Sequence, residues 1–310
     1  MKQTFYYPSQ DGKTRIHAMV WLPEGKPRAV LQICHGMCEY IGRYDEFARF
    51  LNANGFVVVG NDHLGHGASV VSEDMHGYFA KENGNFCLLK DVHRLRRIIE
   101  QRFPGLPYFW LGHSMGSFLT RQYLAYCGKG LAGAVIMGTG SQPALSLYTV
   151  KWICRRLASV HGWKYCSRLV DFLTFGSYNA RLQPARTLND WLTKEEAVVD
   201  AYIRDPWCTF RFTLNAYYNM FSSIEDAQNP ETVAHIPKHL PMLLVSGAED
   251  PVGQYGVGVK QAYRSYLHAG LRNVEMKLYP GDRHEILNET DREVVYVDLL
   301  DWLHLYLPEE

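Results

Sequence analysis

Nowhere in the 310 residues does an apolar run reach the roughly 18 residues that a membrane-spanning helix needs, and the opening Met1-Lys2-Gln3-Thr4-Phe5-Tyr6-Tyr7 holds no apolar stretch of signal length. These absences point to a soluble, cytoplasmic protein. An excess of one charge is also missing: 32 Lys plus Arg balance 32 Asp plus Glu. No general attraction therefore draws the chain to nucleic acid or to an anionic membrane, and any such contact has to be local. Among the seven cysteines, at 34, 38, 87, 127, 154, 166 and 208, there is no Cys-x-x-Cys pair and no close His pair beside them. Buried reduced thiols are expected, rather than disulfides or zinc ligands. No Gly-x-Gly-x-x-Gly stands after the first parallel strand and no complete Walker-type phosphate loop occurs, so nucleotide binding has no motif to rest on. Internal repeats and low-complexity segments are absent as well.

What is present is an ordinary globular composition, 47% hydrophobic and 21% charged. Residues 2–22 read as two alternating segments flanking the turn cluster Ser9-Gln10-Asp11-Gly12-Lys13, an antiparallel hairpin at a sheet edge. Short apolar runs at 29–34 and 56–61 have the character of buried parallel strands, with a helix-period stretch at 43–54 between them. The alternation continues with a helix at 86–103, a strand at 108–111, a helix at 116–127 and a strand at 132–138. It then stops. From 141 to 235 no strand pattern appears, while 150–160 and 195–204 keep helical periodicity; a stretch of that length is too long for a structureless loop in a compact protein. Strands at 242–246 and 274–279 and helices at 257–269 and 291–305 complete the chain. The expected architecture is an α/β fold with a mainly parallel sheet and helices on both faces, its core formed by 1–140 and 236–310 and split by a helical cap at 141–235.

The strongest chemical signal is Gly112-His113-Ser114-Met115-Gly116, placed between an apolar strand and a helical run. Small residues on both sides permit the sharp strand-to-helix turn that lifts one hydroxyl above the sheet, which makes Ser114 a candidate nucleophile. A serine that only caps the following helix would occupy the same position. A serine hydroxyl needs a base, and the base needs a third group to hold it. Two segments leave the ends of consecutive strands after the cap: Ser246-Gly247-Ala248-Glu249-Asp250-Pro251-Val252 and Tyr279-Pro280-Gly281-Asp282-Arg283-His284-Glu285. Asp250 is the expected acid, with Glu249 and Asp282 as competitors, and His284 is the expected base. An oxyanion would need two preorganised N–H donors. The Met115 amide, immediately after the nucleophile, is one; the Met37 amide, in the loop His35-Gly36-Met37-Cys38-Glu39, is the other. His35 reads as an orienting or structural histidine. Asp62, His63 and His66, in a Gly-rich turn, read as a local hydrogen-bond network, and no metal is expected there.

Together His35-Gly36-Met37, Asp62 to Ser69, the Ser114 pentad, Gly247 to Pro251 and Gly281 to His284 resemble the α/β-hydrolase fold, and within it the monoglyceride lipase and lysophospholipase-like branch, also described as serine aminopeptidase-like. The resemblance covers about two thirds of the chain. It implies a triad of Ser114, Asp250 and His284, oxyanion amides at Met37 and Met115, and no metal or organic cofactor. One departure stands out: after His35-Gly36-Met37 the branch usually has Gly, Glu and His, whereas Cys38 and Tyr40 replace that Gly and His here.

The expected activity is hydrolysis of a carboxylic ester through an acyl-enzyme, on a small-molecule ester or lipid such as a monoacylglycerol or a lysophospholipid. An aminopeptidase is the rival enzyme; it would need an acidic group for a substrate amine, and Glu225, Asp226 and Glu231 are candidates. A non-catalytic acyl-ligand binder on the same fold is the rival outside catalysis. The aromatic-rich cap suggests an apolar acyl pocket. Its basic residues Lys151, Arg155, Arg156, Lys164 and Arg168, interleaved with Trp152 and Trp163, suggest a weak peripheral membrane contact. Oligomeric state has no signal in the sequence.

Overall fold

The computed structural model describes residues 1–308; Glu309 and Glu310, which end the expected 236–310 part of the core, lie outside the described residues. The chain opens with the expected hairpin, β1 (Lys2–Pro8) paired antiparallel with β2 (Arg15–Trp21). Its turn is fixed by the Asp11 carboxylate, which accepts from the Lys13 and Thr14 amides at 2.9 and 2.8 Å. Alternation follows: β3 (Ala29–Cys34), α1 (Asp45–Ala53), β4 (Phe56–Asn61), α2 (Gly84–Arg102), β5 (Tyr108–His113), α3 (Met115–Cys127) and β6 (Gly133–Met137). Helices alone occupy the next stretch: α4 (Ala144–His161), α5 (Arg168–Phe175), α6 (Glu196–Arg204), α7 (Leu214–Gln228) and α8 (Pro230–Ala234). The chain then returns to the sheet with β7 (Met242–Gly247), α9 (Val257–His268), β8 (Val274–Tyr279) and α10 (Arg292–Leu305).

The strands form one sheet in the order β1-β2-β4-β3-β5-β6-β7-β8, parallel from β4 through β8. This is the α/β-hydrolase architecture. Every residue of β3, β4, β5, β6 and β7 is buried, because helices cover both faces; that is why these strands read as continuous apolar runs rather than alternating ones. Leu31, Ile33 and Val58 pack with Phe47, Leu51, Tyr296 and Leu299 of α1 and α10. Val30, Val57 and Trp110 pack on the other face with Leu88, Val92, Leu95 and Leu119 of α2 and α3.

Two details bear on function. The sheet order places β4 on one side of β3 and β5 on the other, so the chain reverses direction across the sheet at β3. A crevice opens at the carboxyl ends of such strands, and ligands bind there. Of the strandless stretch, α7 packs on α3 through Gln122 Nε2 to Asp226 (2.6 Å) and on α2 through the Asn85 amide to Asn219 (2.9 Å). That helix covers the core's own helices. All seven cysteines are free thiols; five are buried as expected, whereas Cys127 is half-buried and Cys166 is exposed.

Candidate active site

Ser114 stands between β5 and α3 with φ 53° and ψ −121°. A non-glycine residue there stores strain of about 1–3 kcal/mol, and the flanking glycines explain how the turn closes. A Cβ on Gly112 would lie 2.1 Å from Thr120 Oγ1, and one on Gly116 would lie 2.1 Å from the Cys34 carbonyl oxygen. The start of α3 is pressed onto the end of β3, and only glycine fits that approach. Backbone bonds hold the elbow: the Ser114 amide donates to the Met137 carbonyl at 3.0 Å, and the Ser114 carbonyl accepts from the Ser117 amide at 2.8 Å. The Ser114 hydroxyl makes no capping bond to α3, so helix capping does not account for a serine here.

His284 is buried, and its Nδ1 lies 2.9 Å from Asp250 Oδ2. The carboxylate also accepts from the Val252 amide at 2.8 Å and from Ser246 Oγ at 3.1 Å. With Asp250 as acceptor, Nδ1 carries the proton and Nε2 presents its lone pair. Nε2 is buried and has no hydrogen-bond partner among the described residues. The imidazole lies 4.8 Å, between ring centroids, from His113, the residue before Ser114. The competing carboxylates are engaged elsewhere. Asp282 accepts from Lys194 Nζ at 2.7 Å, and Glu249 is an exposed group 4.0 Å from Arg181.

The loop after β3 approaches the elbow closely: a Cβ on Gly36 would lie 3.0 Å from Ser114 Cβ. The Gly36 amide donates to Glu39 Oε1, whereas the Met37 amide has no acceptor among the described residues. Met115 opens α3 and, as its first residue, has an amide that no bond within the helix can use. His35 is buried, with Nδ1 donating to the Gly36 carbonyl at 2.8 Å and Nε2 accepting from the His63 amide at 2.9 Å. Burial pushes its pKa well down, and the neutral ring staples the β3 loop to the β4 loop. Asp62 pins the Gly-rich turn by accepting from the Ile41 and Ala68 amides and from His17 Nδ1, each at 2.9 Å. Burial likewise brings His63 down to about 4 and His66 to about 3. The two residues that depart from the family pattern also have partners. Cys38 adopts φ 52°, and its thiol donates to the Phe210 carbonyl; Tyr40 donates its hydroxyl to Asp205 Oδ2 at 2.8 Å.

Sequence reading missed a buried ionic network beneath these groups. Glu39 Oε1 accepts from Tyr44 at 3.0 Å and meets His113 Nδ1 at 3.2 Å, while Arg43 joins Glu39 (3.0 Å) to Glu285 (2.7 Å). Burial opposes charge on every member. It is outweighed for Glu39 by the His113 bond and Arg43, for Glu285 by Arg43, and for His113 by Glu39, so both carboxylates titrate lower than usual and His113 higher. One network thus touches the neighbour of Ser114, the neighbour of His284 and the loop of Met37. The only trace of it in sequence is charge at Glu39 and Arg43 beside apolar surroundings.

Residues 25–291 match the model of the family described as "Serine aminopeptidase, S33". The chain belongs to that family. Among its relatives, the "Monoglyceride lipase homolog" of Monkeypox virus is 28% identical over 93% of this chain and 94% of its own. The "Monoacylglycerol lipase" of Mycolicibacterium smegmatis is 27% identical over 96% and 95%. A solved carboxyl esterase from Bacillus coagulans, in complex with glycerol, superposes with a TM-score of 0.93 at 29% identity, covering 99% of both chains. The protein is accordingly an α/β-hydrolase of the monoglyceride lipase-like group. Among the described residues no helix is long and apolar enough to cross a membrane.

Proposed function

We propose that the protein cleaves carboxylic esters of the monoacylglycerol or lysophospholipid kind through an acyl-enzyme on Ser114. The observation that carries this reading is the His284–Asp250 pair, whose buried, unpartnered Nε2 belongs to a ring 4.8 Å from that of His113, the neighbour of a serine held at a strained elbow. In the first step His284 Nε2 takes the Ser114 proton as the hydroxyl attacks the ester carbonyl. The tetrahedral oxyanion rests on the Met37 and Met115 amides. Imidazolium then gives its proton to the leaving alcohol, and the acyl group stays on Ser114. Water activated by His284 releases the acid, while Asp250 keeps the imidazole in one tautomer and stabilises its charged form. This chemistry needs no metal or organic cofactor.

The names of the relatives and the glycerol bound to the similar esterase support a glycerol ester as substrate. We assign residues 141–235 as the cap that selects it, and an aromatic group beside the base fits an acyl chain: Trp191 lies 5.1 Å from His284, 4.9 Å from Tyr178 and 6.1 Å from Phe175. Two of the three acids that an aminopeptidase would need are engaged elsewhere, and the third, Glu231, is exposed. Glu225 pairs with Lys151, and Asp226 accepts from Gln122 and Thr232. A panel of monoacylglycerols, lysophospholipids and aminoacyl amides tests the reading. Turnover of the first two classes supports it; turnover of aminoacyl amides alone moves the assignment to a peptidase, and tight acyl-ligand binding without turnover moves it to a binder.

For contact with a lipid surface the favoured groups are apolar. Leu145, Tyr148 and Trp152 follow helical spacing on α4 and are 76%, 65% and 48% exposed; Leu169, Phe172 and Leu173 on α5 are exposed too. The basic residues are less free, since Lys151 pairs with Glu225 and Arg155 donates to Tyr218.

A further inference from the structure

The stretch from Asp190 to Phe210, inside the region expected to be a cap, is bonded to both loops that the proposed chemistry uses. At its start it runs beside the loop of the base. The Glu285 amide donates to the Leu192 carbonyl at 2.7 Å and the His284 amide to the Trp191 carbonyl at 3.4 Å. Arg283 Nη1 donates to the carbonyls of Asp190 (2.6 Å) and Thr193 (3.1 Å). Lys194 adds two bonds, from Nζ to Asp282 Oδ1 at 2.7 Å and from its amide to Glu289 Oε2 at 3.0 Å. Asp282 and Glu289 are buried, so this cation neutralises charge that water does not reach.

At its far end the same stretch grips the loop of Met37. Tyr40 donates to Asp205 at 2.8 Å and packs edge-on against Trp207 at 5.0 Å. The Cys38 thiol donates to the Phe210 carbonyl at 3.3 Å. Between the two ends, Arg43 lies 5.0 Å over the Tyr202 ring of α6.

We infer that residues 190–210 are a fixed strap that sets the distance between the base loop and the oxyanion loop, with Lys194 and Tyr40 as its positioning residues. Neither residue touches the reacting atoms. Each acts by fixing a loop, and a small displacement of an aligned group is costly to a transition state while leaving ground-state binding nearly intact. The inference rests on the Ser114 mechanism proposed above.

The test compares native protein with Tyr40→Phe, Lys194→Met and Lys194→Arg on a short soluble ester, with melting temperature measured beside kcat and KM. A fluorophosphonate adduct on Ser114 of the native protein comes first. If it is absent, the mechanism fails and the strap's role falls with it. Given the adduct, Tyr40→Phe and Lys194→Met are each expected to lower kcat about 5- to 20-fold with KM changed less than about 2-fold, and Lys194→Arg is expected to recover most of the loss. If both variants melt lower but keep native kcat per folded molecule, the contacts are merely structural and the inference is overturned. A rise in KM alone overturns it as well. Tyr40→Phe removes one oxygen atom from a side chain that keeps its ring contact, so it reads the effect even if Lys194→Met fails to fold.

Discussion

Arg43 grips Glu285 with both terminal nitrogens, at 2.7 and 2.8 Å, one residue after the imidazole of His284. The same guanidinium reaches Glu39 at 3.0 Å, so one buried cation compensates two buried carboxylates. Removing it as Arg43→Met leaves Glu285 without a cation and Glu39 with only His113 and Tyr44, and a loss of about 3–5 kcal/mol in urea unfolding at pH 7 is expected. Arg43→Lys keeps the charge but cannot form the fork, and should lose less. The pH sense follows from the carboxylates. Their folded pKa values lie below the ordinary 4.5, so the contribution is present above pH 4.5 and is lost as pH falls through the folded values.

Ser114 separates strain from chemistry. Ser114→Ala keeps a Cβ at φ 53° and should fold with near-native stability, whereas Ser114→Gly should be about 1 kcal/mol more stable than the alanine variant because glycine relieves the strain. Neither should turn over ester beyond a trace. Equal melting temperatures for the two would contradict the strained elbow.

Asp91, on α2, gives a second pH signature, away from the site. It is buried and accepts from Ser9 Oγ at 2.6 Å and the Gln10 amide at 2.7 Å. Burial outweighs those bonds and raises its pKa from 3.8 to about 6. The folded state holds this proton more tightly than the unfolded chain does. Its contribution is therefore full below pH 3.8 and is lost as pH rises through about 6, a change of about 3 kcal/mol. Asp91→Asn should gain stability relative to native protein over that window in urea unfolding, and a flat difference from pH 4 to 8 would refute it.

Lipid contact through α5 makes a separable prediction. Phe172 and Leu173 are 69% and 51% exposed, and replacing both with serine should reduce flotation with vesicles of mixed neutral and anionic lipid about tenfold. Turnover of a soluble short ester should stay native. Unchanged flotation would leave those apolar groups without a membrane role.

The core was legible where the chain is buried on both faces. Runs such as 29–34 and 56–61 have the pattern of strands and occur at those bounds as β3 and β4, because continuous burial leaves an unbroken apolar signature. The Ser114 elbow and the His284–Asp250 pair are legible because a steric need for glycine and two strand ends mark their positions. The network under them is not. Arg43 and Glu285 are 242 residues apart, and no period or turn links them; they follow β3 and β8, whose carboxyl ends lie at the same edge of the parallel sheet. Trp191 and Lys194 were hidden for a related reason: the 190–194 stretch has no regular element, and its backbone bonds go to a loop rather than a strand. The helices within 141–235 show only in part, since α4 is mostly exposed and the buried face of α7 includes the polar Asn215 and Ser223.

The most direct test of the account is the intact mass and peptide map of native protein after brief treatment with a fluorophosphonate, beside Ser114→Ala and His284→Ala. The account predicts one adduct, located on Ser114, absent from Ser114→Ala and formed at least about 100-fold more slowly in His284→Ala, because the hydroxyl then lacks its base. An adduct on another residue, or native-rate labelling without His284, would contradict it.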